Sequence, residues 1–146
     1  MARTSFNGPV ASANGFEGDI TGNITGNVTG NVTGNVTGNV TGKLTGQVQL
    51  STQNLSGAGA ANLTTGVTLC TSTGSGQVVT LANGTTGQYG LVKTIVHSVD
   101  GGSIVVTPAT ASGFTTVTLA SVGQSVQLMY TSIGWVILNT NGGTIA

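Results

Sequence analysis

Apolar and polar positions follow two different rhythms along this chain. Over residues 18–50 a four-residue unit, Thr-Gly-Asn-Val, recurs almost unchanged. Glycine returns every fourth place from Gly18 to Gly46, and an aliphatic residue follows two places after each: Ile20, Ile24, Val28, Val32, Val36, Val40, Leu44 and Val48. Threonine precedes the glycines from Thr21 to Thr45. The fourth place holds Asn23, Asn27, Asn31, Asn35 and Asn39, then Lys43 and Gln47. A helix is a poor home for this pattern. Glycine costs roughly 1 kcal/mol per helical site, and Val, Thr and Asn are mediocre formers. A period of four also drifts about 40° per repeat around a helix of ~3.6 residues per turn. In a strand, residues two apart share a face, so the aliphatic residues and the glycines line one side and Thr and Asn the other. That apolar side is thin, because every second inward place lacks a side chain. A solenoid made from this stretch alone has too few coils for a core. The pattern therefore predicts a stalk in which several copies of the chain bring their Val faces together, glycine permitting close approach of backbones.

From Leu63 onward the rhythm shortens to β runs of four to eleven residues separated by turn residues. Strands are expected at 67–70, 77–81, 89–99, 103–107, 115–119, 125–130 and 135–139. Turns are expected at Ala82-Asn83-Gly84, Asp100-Gly101-Gly102, Thr107-Pro108, Ser112-Gly113 and Ile133-Gly134. Two-residue alternation is clear in Val117/Leu119, Val126/Leu128/Tyr130 and Val136/Leu138. Seven such strands predict a small antiparallel β-sandwich, jelly-roll-like, with a core of Leu69, Val79, Leu81, Val92, Ile95, Val105, Phe114, Val117, Leu119, Leu128 and Trp135. A domain this small is marginal on its own, which favours assembly.

The remaining segments frame these two. Residues 1–17 form an arm whose large apolar residues are Phe6, Val10 and Phe16, with turn signals at Asn7-Gly8-Pro9 and Asn14-Gly15. It is too short for a core of its own and is expected to order by docking on a partner. Arg3, Phe6, Pro9, Val10 and Phe16 are the expected contacts. Residues 51–62, which include the small, polar stretch NLSGAGAAN, are expected as a linker. The expected organisation is thus arm 1–17, stalk 18–50, linker 51–62 and head 63–146.

Composition narrows the function. Three basic residues balance three acidic ones in 146 residues, so there is no electrostatic footprint for nucleic acid or an anionic membrane. No run is long and apolar enough to span a bilayer. The start, MARTSFNGPVASANGF, lacks the apolar core of a signal peptide, which predicts synthesis in a cytoplasm and placement by assembly. Low charge combined with high β-propensity leaves edges that must be satisfied by association.

Chemistry-bearing residues are few. His97 and Asp100 lie three apart across a strand end and a turn, so parity aims them at different faces, and Asp100 suits the turn itself. No paired carboxylates, no metal-spaced His/Cys set and no phosphate loop occur; no enzyme, cofactor or metal is expected. Cys70 has no partner for an internal bridge and is expected as a small buried residue at a strand end. The Asn-Val-Thr sequons from Asn27 to Asn39 follow from the repeat and lack a secretory context. Thr recurs every four residues, not every two, so no dense ice-binding array forms. Tyr89, Tyr130 and Trp135 are candidate glycan-contact aromatics, although core and subunit packing is the more ordinary reading of them.

The whole chain resembles small virion proteins of tailed bacteriophages. The arm SFNGPVASANGF resembles the start of capsid decoration and fibre-like proteins, and the Thr-Gly-Asn-Val repeat is similar to shaft repeats of phage fibres. The ending GFTTVTLASVGQSVQLMYTSIGWVILNTNGGTIA resembles their β-rich ends. The resemblance implies a homotrimer with a structural, non-enzymatic role on the capsid surface, made in the host cytoplasm. Its partners would be the major capsid protein or another virion protein. The alternative it allows is a receptor-binding tail or head fibre that grips a host surface glycan or protein. Small size, with no long shaft, favours decoration.

Overall fold

Strand-forming segments punctuated by glycine, serine and threonine dominate the part of the chain that the computed structural model describes, Thr41 and residues 43–146. The arm and the stalk positions Ile20, Ile24, Val28, Val32, Val36 and Val40 lie outside the described residues. Among the described residues ten strands occur in order: β1 (Thr52–Ser56), β2 (Gly59–Ala61), β3 (Val67–Thr71), β4 (Gln77–Leu81), β5 (Val92–Val99), β6 (Ile104–Pro108), β7 (Val117–Leu119), β8 (Ser125–Thr131), β9 (Gly134–Asn141) and β10 (Thr144–Ile145). One 3-10 turn, Thr86–Gln88, lies between β4 and β5. All belong to one unit, Leu44–Ala146.

The strands form two five-stranded sheets that share one core, with orders β1-β3-β5-β8-β9 and β10-β7-β6-β4-β2. The first six strands alternate between the sheets, so the chain climbs in rungs of two strands: β1/β2, β3/β4 and β5/β6. Successive rungs pair in parallel, β1 with β3, β3 with β5, β2 with β4 and β4 with β6. After β6 the chain reverses, and β7, β8, β9 and β10 add antiparallel strands. The head is therefore all-β with two mixed sheets. The expectation of a purely antiparallel sandwich is corrected by the four parallel pairings. The expected linker 51–62 is also corrected: it carries β1 and β2, the first rung.

The turn signals explain how this happens. Asp100-Gly101-Gly102 does not close a hairpin; it carries the chain from β5 in one sheet to β6 in the other. It stacks on the preceding crossover, residues 72–76. A side chain at Gly101 would collide with the Ser72 carbonyl, and Gly102, at φ +135°, lies against the backbone of Gly74 and Ser75. Glycine is used here for close approach between stacked crossovers, not for a hairpin of the kind Asp-Gly suggests. The expected turn at Ile133-Gly134 does close a tight hairpin, between β8 and β9, with Gly134 at φ +100° against the Thr110 carbonyl.

The core contains Ala61, Cys70, Val79, Leu81, Ile95, Ile104, Val106, Val117, Leu119, Val126, Leu128 and Trp135. At ~1.5–3 kcal/mol for each large apolar side chain removed from water, this face is the main stabilising term. Seven of the expected core residues are in it, and Phe114 packs against it partly buried. Leu69, Val92 and Val105 are not: each has the wrong parity and points outward, its place inside taken by Cys70, Lys93 or Ile95, and Ile104 or Val106.

Candidate functional site

The inner face of β3 and β5 is unusual for a core, because polar residues share it. Along β5 the buried positions are Lys93, Ile95 and His97; along β3 and just beyond they are Thr68, Cys70 and Ser72. The apolar residues of the same strands, Val67, Leu69 and Val96, lie on the outer face. Polar groups inside a core must find partners, and these gather at the two ends of the strands.

At one end, the Lys93 amine donates to the Thr65 carbonyl at 2.8 Å and contacts Thr65 Oγ1 at 2.9 Å. Thr65 Oγ1 and its backbone N–H each donate to Asn62 Oδ1 at 2.9 Å, and Thr64 donates to the same oxygen twice, at 3.1 Å. Asn62 N–H and Thr68 Oγ1 donate to Gln53 Oε1, which ties the network to the first rung. Burial pushes the Lys93 ammonium down to about 8, with the nearby Cys70 thiol acting weakly the other way. Asp100 is the sole Asp or Glu among the described residues and stands seven places along the chain, roughly 23 Å at ~3.3 Å per residue, so Lys93 has no counter-charge there.

At the other end, Ser72 Oγ lies 2.9 Å from His97 Nε2, 3.2 Å from the Val99 carbonyl and 2.6 Å from the Gly101 N–H. With Ser72 donating to Val99, it accepts from His97 Nε2–H, and Nδ1 is then left as a buried lone pair without a partner. Ser72 and His97 are buried, so the pair fastens stacked crossovers and offers no open nucleophile. Asp100 is exposed and accepts from the Gly102 N–H at 2.9 Å. His97 faces the core from β5, whereas Asp100 lies just beyond the strand and is exposed, so the two are separated. Among the described residues no three His, Cys, Asp or Glu side chains lie close enough to share a metal ion.

Cys70 is free and buried. Desolvation pushes its thiol up to about 11 from 9.0, the Lys93 charge opposing this. Two results are expected. Native protein at pH 8 resists iodoacetamide, whereas denatured protein is labelled rapidly, because the thiolate is the nucleophile. The thiol also loses its proton earlier in the unfolded chain than in the fold. Its stabilising contribution is therefore complete below pH 9 and is lost as pH rises toward 11, by at most ~3 kcal/mol at 1.36 kcal/mol per unit. Urea midpoints of wild type and Cys70→Ala across that window isolate the effect; parallel curves would disprove it.

The three aromatic candidates are brought together but not equally presented. Tyr89 and Tyr130 rings are 5.7 Å apart, and Tyr130 and Trp135 rings 5.2 Å apart. Trp135 is fully buried, its indole N–H donating to the Ala82 carbonyl at 3.0 Å. Tyr130 is partly buried, and Tyr89 is 49% exposed. Trp135 is thus a packing residue, and Tyr89 is the ring that a ligand would meet. Nearby on the other sheet, a shallow, mainly apolar groove of about 340 Å³ runs past Ala60, Thr80, Ala82, Thr107 and Pro108.

The described end of the repeat is exposed. Leu44, Val48 and Leu50 are 65%, 61% and 51% accessible, and residues 43–50 belong to no strand. The outer face of the β1–β9 sheet adds Val67, Leu69, Val96, Met129 and Val136, none of them fully covered, and carries no charged side chain. Sequence reasoning missed the buried polar network altogether. The signal was present: Lys93 and His97 share parity with Ile95. The sequence matches no protein-family model, and no curated protein is significantly similar to it.

Proposed function

We propose that this chain is a structural virion protein that decorates and stabilises a bacteriophage capsid as a homotrimer, anchored through its N-terminal arm. The observation that supports assembly is the exposure of Leu44, Val48 and Leu50 in a single chain. These are the repeat's own aliphatic positions and the one that follows, and neighbouring copies would cover them. The virion assignment rests on the resemblance of the arm, the repeat and the final strands to phage decoration and fibre proteins. In this reading Phe6 and Phe16 are the apolar anchors and Arg3 the polar contact to the major capsid protein or another virion protein. Each bound copy then stabilises the assembled shell by mass action, since it binds the assembled and not the dissociated state, and many identical contacts sum over the lattice.

Particles with and without the protein provide the test. Complete particles are expected to carry it in proportion to shell subunits, to hold it through ~1 M salt, where the Debye length is about 3 Å, and to retain genome to higher temperature than particles lacking it. A form lacking residues 1–16 is expected to remain a soluble oligomer and to leave the particle bare. Unchanged heat stability with lost host adsorption would instead assign the chain to the receptor-binding class. Exposed Tyr89 favours that second reading over any other feature, and with Tyr130 it is the first position to mutate.

A further inference from the structure

The network around Thr65 brings together an amine and a polarised carboxamide. Lys93 is buried with no counter-charge among the described residues, and a buried ammonium in that position is costly. Its lowered proton affinity leaves a minor fraction as free amine near neutral pH, far more than an ordinary lysine has, and that is the form that acts as a nucleophile. Asn62 Oδ1 accepts four hydrogen bonds, from the backbone N–H and hydroxyl of both Thr64 and Thr65. Donors converging on a carbonyl oxygen are what stabilise an oxyanion when that carbonyl is attacked. Thr65 Oγ1 touches both groups, 2.9 Å from Lys93 Nζ and 2.9 Å from Asn62 Oδ1.

We propose that Lys93 and Asn62 become joined by an intramolecular isopeptide bond, formed by the folded chain itself. The Lys93 Nζ lone pair attacks Asn62 Cγ, and the C–N bond forms as the carbonyl electrons move onto Oδ1, held there by the Thr64 and Thr65 donors. Nζ releases one proton and Nδ2 takes one up, so no net proton is gained or lost. The carbonyl re-forms, the Cγ–Nδ2 bond breaks and ammonia leaves. An amine and a primary amide become a secondary amide and ammonia, with no oxidant and no cofactor. The product removes the unpaired charge from the core. It also ties the turn after β2 to β5, so the first rung, paired on one side only, is locked to the third.

The chain carries its own assay. Its three basic residues are Arg3, Lys43 and Lys93, and trypsin does not cut after an acylated lysine. Intact wild-type protein, measured denatured, is expected to be lighter than its sequence by one ammonia. Its tryptic digest should contain residues 44–146 as a single piece carrying that deficit. Lys93→Arg and Asn62→Ala are each expected to restore the full mass, and a digest of Lys93→Arg to yield 44–93 and 94–146. Full mass in the wild type overturns the proposal whether or not the variants fold. A deficit accompanied by cleavage after Lys93 also overturns it, since that pattern belongs to a succinimide at an asparagine.

Discussion

Trp135→Ala is expected to remove a large share of the head's stability. The ring is fully buried and spans the molecule: it lies on β9, packs on Tyr130 at 5.2 Å and donates to the Ala82 carbonyl just beyond β4 in the opposite sheet. Its backbone N–H also donates to the Thr110 carbonyl, and its carbonyl accepts from Ser112. Truncating a buried Trp typically costs about 3–5 kcal/mol through lost transfer energy and the cavity left behind. Leaving the Ala82 carbonyl unpaired adds to this. Against the ~5–15 kcal/mol that holds a typical domain together, that is a large share. Trp135→Phe keeps most of the packing and loses the hydrogen bond, so a smaller loss of ~1–2 kcal/mol is expected. Tyr89→Ala, at a half-exposed ring, should cost less still. Circular dichroism in urea is the right measurement, because the variant lacks the chain's one tryptophan. A midpoint close to wild type for Trp135→Ala would mean that the two sheets do not depend on this ring.

The strands of the head were legible because short-range signals set them. β4 lies where the apolar run and its turns place it, and β3, β6, β8 and β9 begin or end within about two residues of expectation, the usual uncertainty at element ends. Their partners were not legible. Asp100-Gly101-Gly102 has the composition of a hairpin turn, and nothing local distinguishes a turn that reverses a strand within one sheet from one that carries it across the core. The difference is made by contacts 27 to 29 residues away, where Gly101 meets Ser72 and Gly76 meets Ser103. Similarly, Asn54 to Asn62 is too small and polar to announce strands. β1 and β2 exist because β3 and β4 offer them edges to pair with.

The buried polar network was hidden for a related reason. Val92 and Ile95 were both expected inside, yet they have opposite parity and cannot share a face in a regular strand. Deciding for Ile95 places Lys93 and His97 in the core, an arrangement that ordinary burial preferences argue against. It becomes acceptable because Thr65 and Ser72 supply hydrogen-bond partners, and those come from the loops and strand ends of other rungs. In β3 Thr68 and Cys70 face inward and Val67 and Leu69 outward, so the larger apolar residues lie on the outside, the reverse of a free-standing sandwich. An outer face of that kind gains from being covered, which is the same direction in which the repeat points.

Val48→Asp is expected to dissociate the assembled protein while leaving each head folded. In a single chain this residue is 61% exposed and lies outside any strand, so a charge there would shift stability by no more than ~0.5 kcal/mol, as at most surface sites. If copies bring their aliphatic faces together, one carboxylate from each converges on the shared seam. Burying each without a partner then costs several kcal/mol, of the order of ~2–7 for a polar group and more for a charge. Gln47→Asp, one place earlier and assigned by the repeat pattern to the opposite face, adds the same charge to the outer surface and should do little beyond salt-screened repulsion between copies. The same contrast is expected for Val32→Asp against Asn31→Asp, earlier in the repeat. Sedimentation at low micromolar concentration, with circular dichroism to follow the head, separates the cases. Loss of the oligomer in both members of a pair would mean that the two faces had been assigned in reverse or that both are covered. An unchanged oligomer with Val48→Asp would place the contact between copies elsewhere, with the apolar outer face of the β1–β9 sheet the next surface to charge, at Leu69 and Val96.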